Sequence, residues 1–383
     1  MSLLAGLALV LAGTVRGETK PPRVAGNLFL DAAGVSASLT PSMARERAVR
    51  INRAFLPSAT SGAGTRIPFN LFPDVSLEGQ VDWSVVRGPA SYTCGGQLVG
   101  GGSGRFVLSV EEEAVCGKIH TADRGTFAIR CRGDGLWEIA QAHPARMPLD
   151  EMDTVVDEFG GAVRKQVLAG ATRKEAGVPL IDVMVVYTPS ACTGVGGTAA
   201  MLALIHLIVD ETNQIFSNSL IPARIALVHA QELAYDEHQD PGTDIARLAD
   251  PNDGYMDEAA GYREIYGADL VCLIPDGLSG GMAQLPGRFF VVHYTYATWD
   301  YTFTHEMGHN FGCRHEGGHY FFGAGGGEYR TVMKYPPGTA VMHFSNPDAD
   351  FDGVPTGTAT NDNAHVVESA AAEVAATKPH RSL

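Results

Sequence analysis

The chain has 383 residues, 45% of them hydrophobic, and a formal net charge of −15. That length allows two domains with separate cores, and the acidic balance excludes nucleic acid and anionic membrane surfaces as partners. Forty-five glycines and 21 prolines point to many turns and a sizeable β component.

The first residues, MSLLAGLALVLAGTV, form a short apolar run followed by small residues, which reads as a secretion signal over 1–17. No Lys or Arg precedes the run, and a buried N-terminal element is the alternative reading. No later stretch holds the ~18 uninterrupted apolar residues of a membrane span. A secreted, extracellular protein without a membrane partner is therefore expected.

From Arg45 to Pro148 the chain reads as short strands between glycine turns, such as RFVLSV (105–110), TFAIRC (126–131) and LWEIAQ (136–141). Residues 149–178 turn charged and read as an exposed linker and processing region, or else as an amphipathic helix. LIDVMVVYT (180–188) is a nearly continuous apolar run, the mark of a strand buried on both faces. A helix opens at Gly196-Gly197-Thr198, with Leu202, Ile205, Val209, Thr212 and Phe216 forming one buried stripe. Strands at 224–230, 268–274 and 289–296, a helix at 254–266 and a last helix over 361–378 complete the order. This alternation predicts an α/β (α+β) domain with a mixed, mainly parallel sheet.

Residues 303–320 read FTHEMGHNFGCRHEGGHY. On a helix, His305 and His309 project from one face and can reach one metal ion. Glu306 lies about 100° round from His305, placed to take a proton from water. Gly312 can leave the helix in a left-handed conformation and turn His315 back to the metal. Three neutral nitrogens and an open position are the donor set of a catalytic zinc. The spacing H-E-x-x-H-x-x-G-x-x-H arises by chance in about one chain in ten thousand of this composition, so histidines merely decorating a helix are a poor account.

HEMGHNFGCRH resembles the extended zinc signature of the metzincin metallopeptidases. TVMKY (331–335) offers Met333 as that family's methionine turn, and Tyr335 matches the spacing of a tyrosine near zinc in some branches. The IDV strand, Asn310 and the FSNP…DNA segment resemble the reprolysin-like (adamalysin-type) branch, and the chain looks similar to secreted microbial peptidyl-Asp metalloendopeptidases. The likeness covers roughly 178–378, while 18–175 is similar to their propeptides. One departure is Glu316, where the branch usually has Asp directly after the third histidine; the acid reads as hydrogen-bonding behind the zinc ligands.

The resemblance implies a zymogen with a signal at 1–17, a β-rich propeptide at 18–175 and a catalytic domain at 176–383. It implies one Zn2+ on His305, His309 and His315, Glu306 as general base and acid, Tyr335 aiding the oxyanion, and protein or peptide substrates. The propeptide would be the intramolecular inhibitor. Cys94 or Cys116, each before a flexible glycine, is a candidate thiol for latency; a Cys94–Cys116 or Cys116–Cys131 disulfide is the alternative. A Cys272–Cys313 bridge and buried free thiols are both open for the later cysteines. Substrate would lie extended near Gly280–Gln284. Arg330 and Lys334 are the candidate cations for an acidic side chain next to the scissile bond.

His319 reads as a rim residue, and His206 as a core histidine. DADFDG (348–353) imitates an EF-hand start, but Ala359 stands where the loop needs a bidentate Glu, so a surface turn is favoured over calcium. Two other function classes remain: a non-catalytic zinc-binding adhesion module, and a zinc hydrolase of non-peptide amides.

Overall fold

Nine strands between Phe29 and Ala142 form one antiparallel sheet. A computed structural model describes residues 26–32, 34, 43–100, 104–121, 123–142, 177–238, 240–276 and 280–381. The expected signal at 1–17, and all but the last residues of the expected linker at 149–178, lie outside these.

The strands are β1 (Phe29–Asp31), β2 (Met43–Ile51), β3 (Arg66–Phe72), β4 (Val75–Gly88), β5 (Ser91–Val99), β6 (Gly104–Glu111), β7 (Ala114–Thr121), β8 (Gly125–Gly133) and β9 (Leu136–Ala142). They pair in the order β1-β2-β9-β8-β7-β6-β5-β4-β3. The sheet curls until its ends meet: Asn70 of β3 accepts from the Phe29 amide of β1 (2.9 Å) and donates to its carbonyl (2.6 Å). β6 and β7 are buried along most of their length, because one face lines the sheet's own core and the other packs on a helix of the second unit.

That second unit begins with β10 (Leu180–Tyr187), then α1 (Pro189–Val195) and α2 (Thr198–Asn218). β11 (Arg224–Glu232), α3 (Pro241–Ala249), α4 (Glu258–Tyr266), β12 (Leu270–Ile274), β13 (Gly281–Ala283) and β14 (Phe289–Val292) follow. The sheet order is β11-β10-β12-β14-β13, parallel except for β13, which pairs antiparallel with β14 at the edge. The sheet is thus mixed and mainly parallel. α3 was not foreseen; it starts at Asp240, whose side chain caps the Thr243 amide, with Pro241 following. The strand expected over 289–296 stops at Val292.

α2 differs from its expected single stripe. Met201, Ala203, Leu204, Ile205, Leu207, Ile208 and Val209 are all buried, so apolar contact runs round the helix. The helix packs on β11 of its own unit and on β6 and β7 of the N-terminal sheet. A helix apolar all round is one packed on several sides. The two units accordingly share one hydrophobic cluster, from Phe106 and Ile129 to Ile205 and Phe303. Polar contacts cross the same seam: Arg87 with Asp210, His206 Nδ1 3.1 Å from Glu111, and Lys118 Nζ 3.6 Å from Glu211.

α5 (Thr302–Phe311) carries the HEMGH segment. Beyond it lie β15 (Tyr320–Phe322), β16 (Glu328–Arg330) and β17 (Thr339–Ala340), and then a hairpin of β18 (Asp350–Phe351) and β19 (Val354–Pro355). DADFDG makes that hairpin's turn, with Asp352 and Gly353 at positive φ. α6 (Asn363–Val374) closes the chain, capped by Asp362.

Candidate active site

Every residue of α5 from Phe303 to Phe311 is buried, so its histidines face a constructed interior. The helix ends at Gly312 (φ 101°), where the amides of Gly312 and Cys313 reach the carbonyls of His309 (2.8 Å) and Gly308 (3.0 Å). This left-handed end turns the chain back. His315 then enters from a short 3-10 turn, His315–Gly317. The bend read from Gly312 is therefore present.

His315 Nε2 lies 3.1 Å from His305 Nε2 and 3.0 Å from His309 Nε2. The other ring nitrogens face carbonyls: His305 Nδ1 that of Val332 (2.7 Å), His309 Nδ1 that of Cys313 (2.8 Å). A carbonyl only accepts, so each Nδ1 carries the proton and each Nε2 offers a lone pair inward. Lone pairs converging this closely repel one another without a cation. Their spacing is that of nitrogens sharing an ion at ~2.0–2.1 Å, and the donor set fits zinc. Among the described residues this trio forms the metal-binding group, with ligand atoms within 4.8 Å of one another.

Glu306 is 2% exposed and lies against the edge strand: a Cβ added to Gly281 would stand 2.6 Å from its Cγ. The bare glycine lets the carboxylate sit beside β13. Behind it, burial and the Glu306 charge push the Cys272 thiol up, keeping it protonated.

Met333 is fully buried beneath α5. The turn holding it also supplies the Val332 carbonyl to His305. Tyr335 lies with its ring 4.2 Å from that of His315.

The loop bearing His315 is braced from α6 and the segment before it. Asn361 donates to the carbonyls of Glu316 (2.9 Å) and Gly318 (3.0 Å), and Asn363 to that of Arg314 (3.2 Å). Ser345 donates to Gly317 (2.7 Å) and accepts from the Asn363 amide (2.9 Å). Neither asparagine was assigned a role from the sequence, although the FSNP…DNA segment was a visible signal.

Several expected residues fall elsewhere. Arg330 is 4% exposed and bound to Asp300, so it cannot greet a substrate carboxylate; Lys334 is half-buried beside it. Glu316 points to solvent, and its carbonyl, not its carboxylate, joins the bracing. Cys94 and Cys116 lie in the N-terminal sheet, outside the histidine group. Cys116 touches the Ala200 carbonyl (3.7 Å). Burial pushes both thiols up to about 12, so neither offers a thiolate. All six cysteines are free and buried, which removes the expected bridges. His319 stacks on Phe321, away from the trio.

The "Metallo-peptidase family M12B Reprolysin-like" model matches residues 202–316, from α2 through the third histidine. The peptidyl-Asp metalloendopeptidase of Xanthomonas campestris pv. campestris is 29% identical over 97% of this chain and 97% of its own length. These two matches support a reprolysin-like metallopeptidase. A second relative of that name, from Stenotrophomonas maltophilia, is 31% identical over 54% of this chain and 55% of its own. Of solved structures, metalloproteinase-II from Bacteroides fragilis overlaps 80% of this chain and 90% of its own, at 10% identity and a TM-score of 0.34. That overlap is too loose to argue from. The family match and the relatives support a zinc metalloendopeptidase, and the three histidines are a group that could hold the ion.

Proposed function

We propose that the protein is a secreted endopeptidase made as a zymogen, with Glu306 as its general base and acid. What carries the reading is the convergence of three Nε2 atoms beside a buried helix carboxylate that lies against an edge strand. Zinc, when bound by His305, His309 and His315, supplies Lewis acidity that polarises the substrate carbonyl and makes water a nucleophile near neutral pH.

The substrate extends the sheet along β13, whose antiparallel pairing with β14 leaves it at the edge. Its scissile carbonyl then faces the histidines across Glu306. Glu306 takes a proton from the attacking water and returns it to the departing amine. The Tyr335 hydroxyl, held over His315, donates to the oxyanion. Lys334 meets an acidic side chain next to the scissile bond, as the names of the relatives suggest. The N-terminal sheet, 29–142, is the folded part of the propeptide, cut from the enzyme within 149–178. It packs on α2 behind the site, so it templates the enzyme through that seam.

Digesting an unfolded protein and mapping the cuts tests this reading. Cuts next to Asp and Glu are expected, and Lys334→Met should flatten the preference about tenfold. Cleavage with no acidic preference would remove Lys334 from its role, and no peptide cleavage at all would favour a non-peptide amide substrate.

A further inference from the structure

The geometry points to Arg330 as a positioning residue: anchored on Asp300, its guanidinium holds both ends of the Tyr335–Pro337 turn and so fixes Tyr335 over His315. The inference rests on the proposed role of Tyr335 in the reaction.

Arg330 is the last residue of β16, where its backbone pairs with Tyr320 of β15 on one side and Ala340 of β17 on the other. From that fixed base its side chain reaches three acceptors. Nη1 donates to the Lys334 carbonyl (2.7 Å), Nε to the Gly338 carbonyl (3.0 Å) and Nη2 to Asp300 Oδ2 (2.5 Å). The two carbonyls flank residues 335–337, so one rigid plane grips the turn at its entry and its exit. Asp300 in turn stands just before α5, in a left-handed conformation shared with Tyr301 (φ 50° and 65°). One side chain therefore ties the start of the histidine helix to the segment carrying the tyrosine. The planar fork of arginine suits this; a lysine ammonium lacks the fixed spread of donors. Burial also keeps the guanidinium from substrate, which separates its role from that of Lys334.

The test measures kcat and KM on a peptide with one scissile bond, with zinc content and melting temperature, for Arg330→Met, Arg330→Lys, Tyr335→Phe and the Arg330→Met/Tyr335→Phe double variant. Arg330→Met is expected to lower kcat about tenfold with KM within about twofold, zinc retained, and Arg330→Lys to recover only part. If Arg330 acts through Tyr335, the double variant is within about twofold of the slower single variant. Wild-type kcat in Arg330→Met, or losses that multiply in the double variant, would overturn the inference. Should Arg330→Met fail to fold, Asp300→Asn takes its place in the same comparison, with a smaller loss of kcat and the same non-additivity expected. Wild-type activity in Tyr335→Phe marks the other failure, in which the tyrosine's own role falls and this inference with it.

Discussion

Gly308 and Met333 meet face to face: a Cβ on the glycine would stand 2.6 Å from the methionine sulphur. The methionine turn thus packs directly on the histidine helix, between His305 and His309. The Val332 carbonyl that orients His305 belongs to the same turn.

Gly308→Ala is expected to displace this turn. Overpacking a closed core costs about 1–3 kcal/mol, and the displaced carbonyl loosens His305. Melting temperature and zinc retention against a chelator should fall together. A variant melting and holding zinc like wild type would show that Met333 simply swings aside.

Asn361→Ala removes two donors to the loop carrying His315. Loss of such supporting contacts lowers metal affinity roughly 10–100-fold. Competition with a chromogenic chelator measures it. Unchanged affinity would mean that Asn363 and Ser345 hold the loop alone.

The cysteines give a count. All six are free, so the unfolded chain should titrate six thiols without reductant. Two fewer would establish a bridge that the structure lacks. Cys313 directs His309 through its backbone carbonyl, while its thiol rests on the Asn363 carbonyl (3.6 Å). Cys313→Ala should therefore keep zinc and lose about 1 kcal/mol of stability from the lost packing.

The seam between the units carries a pH dependence. Burial pushes the Glu211 carboxyl up to about 7 from 4.5, with Lys118 opposing. The folded chain then binds more protons than the unfolded one across that window. The contribution is full below about 4.5 and is lost as pH rises through about 7. Raising the pH from about 5 to about 7.5 should lower the melting temperature of wild type more than that of Glu211→Gln, by several degrees at about 2–4 °C per kcal/mol. Parallel curves would show that Lys118 fully neutralises the acid.

What the sequence disclosed followed from local rules. Helical spacing placed His305, Glu306 and His309, and a glycine with no Cβ marked the bend at Gly312. The apolar run of β10 announced a strand buried on both faces. What stayed hidden depended on contacts distant in sequence. Arg330 looks like a surface cation until Asp300, thirty residues away, is beside it. Asn361 and Asn363 look like a loop and a helix cap until the chain folds back on His315. Nor could the stripe on α2 reveal that a second sheet covers its other side. Cys94 and Cys116, each next to glycine, suggested mobility, whereas both lie in paired strands.

The central claim is that three histidines hold zinc while Glu306 moves the proton. Measuring zinc per chain and peptide hydrolysis side by side in wild type and Glu306→Gln tests it most directly. The account predicts about one zinc in both proteins and a rate at least about a hundredfold lower in the variant. A variant that keeps its zinc and cleaves at the wild-type rate would contradict it.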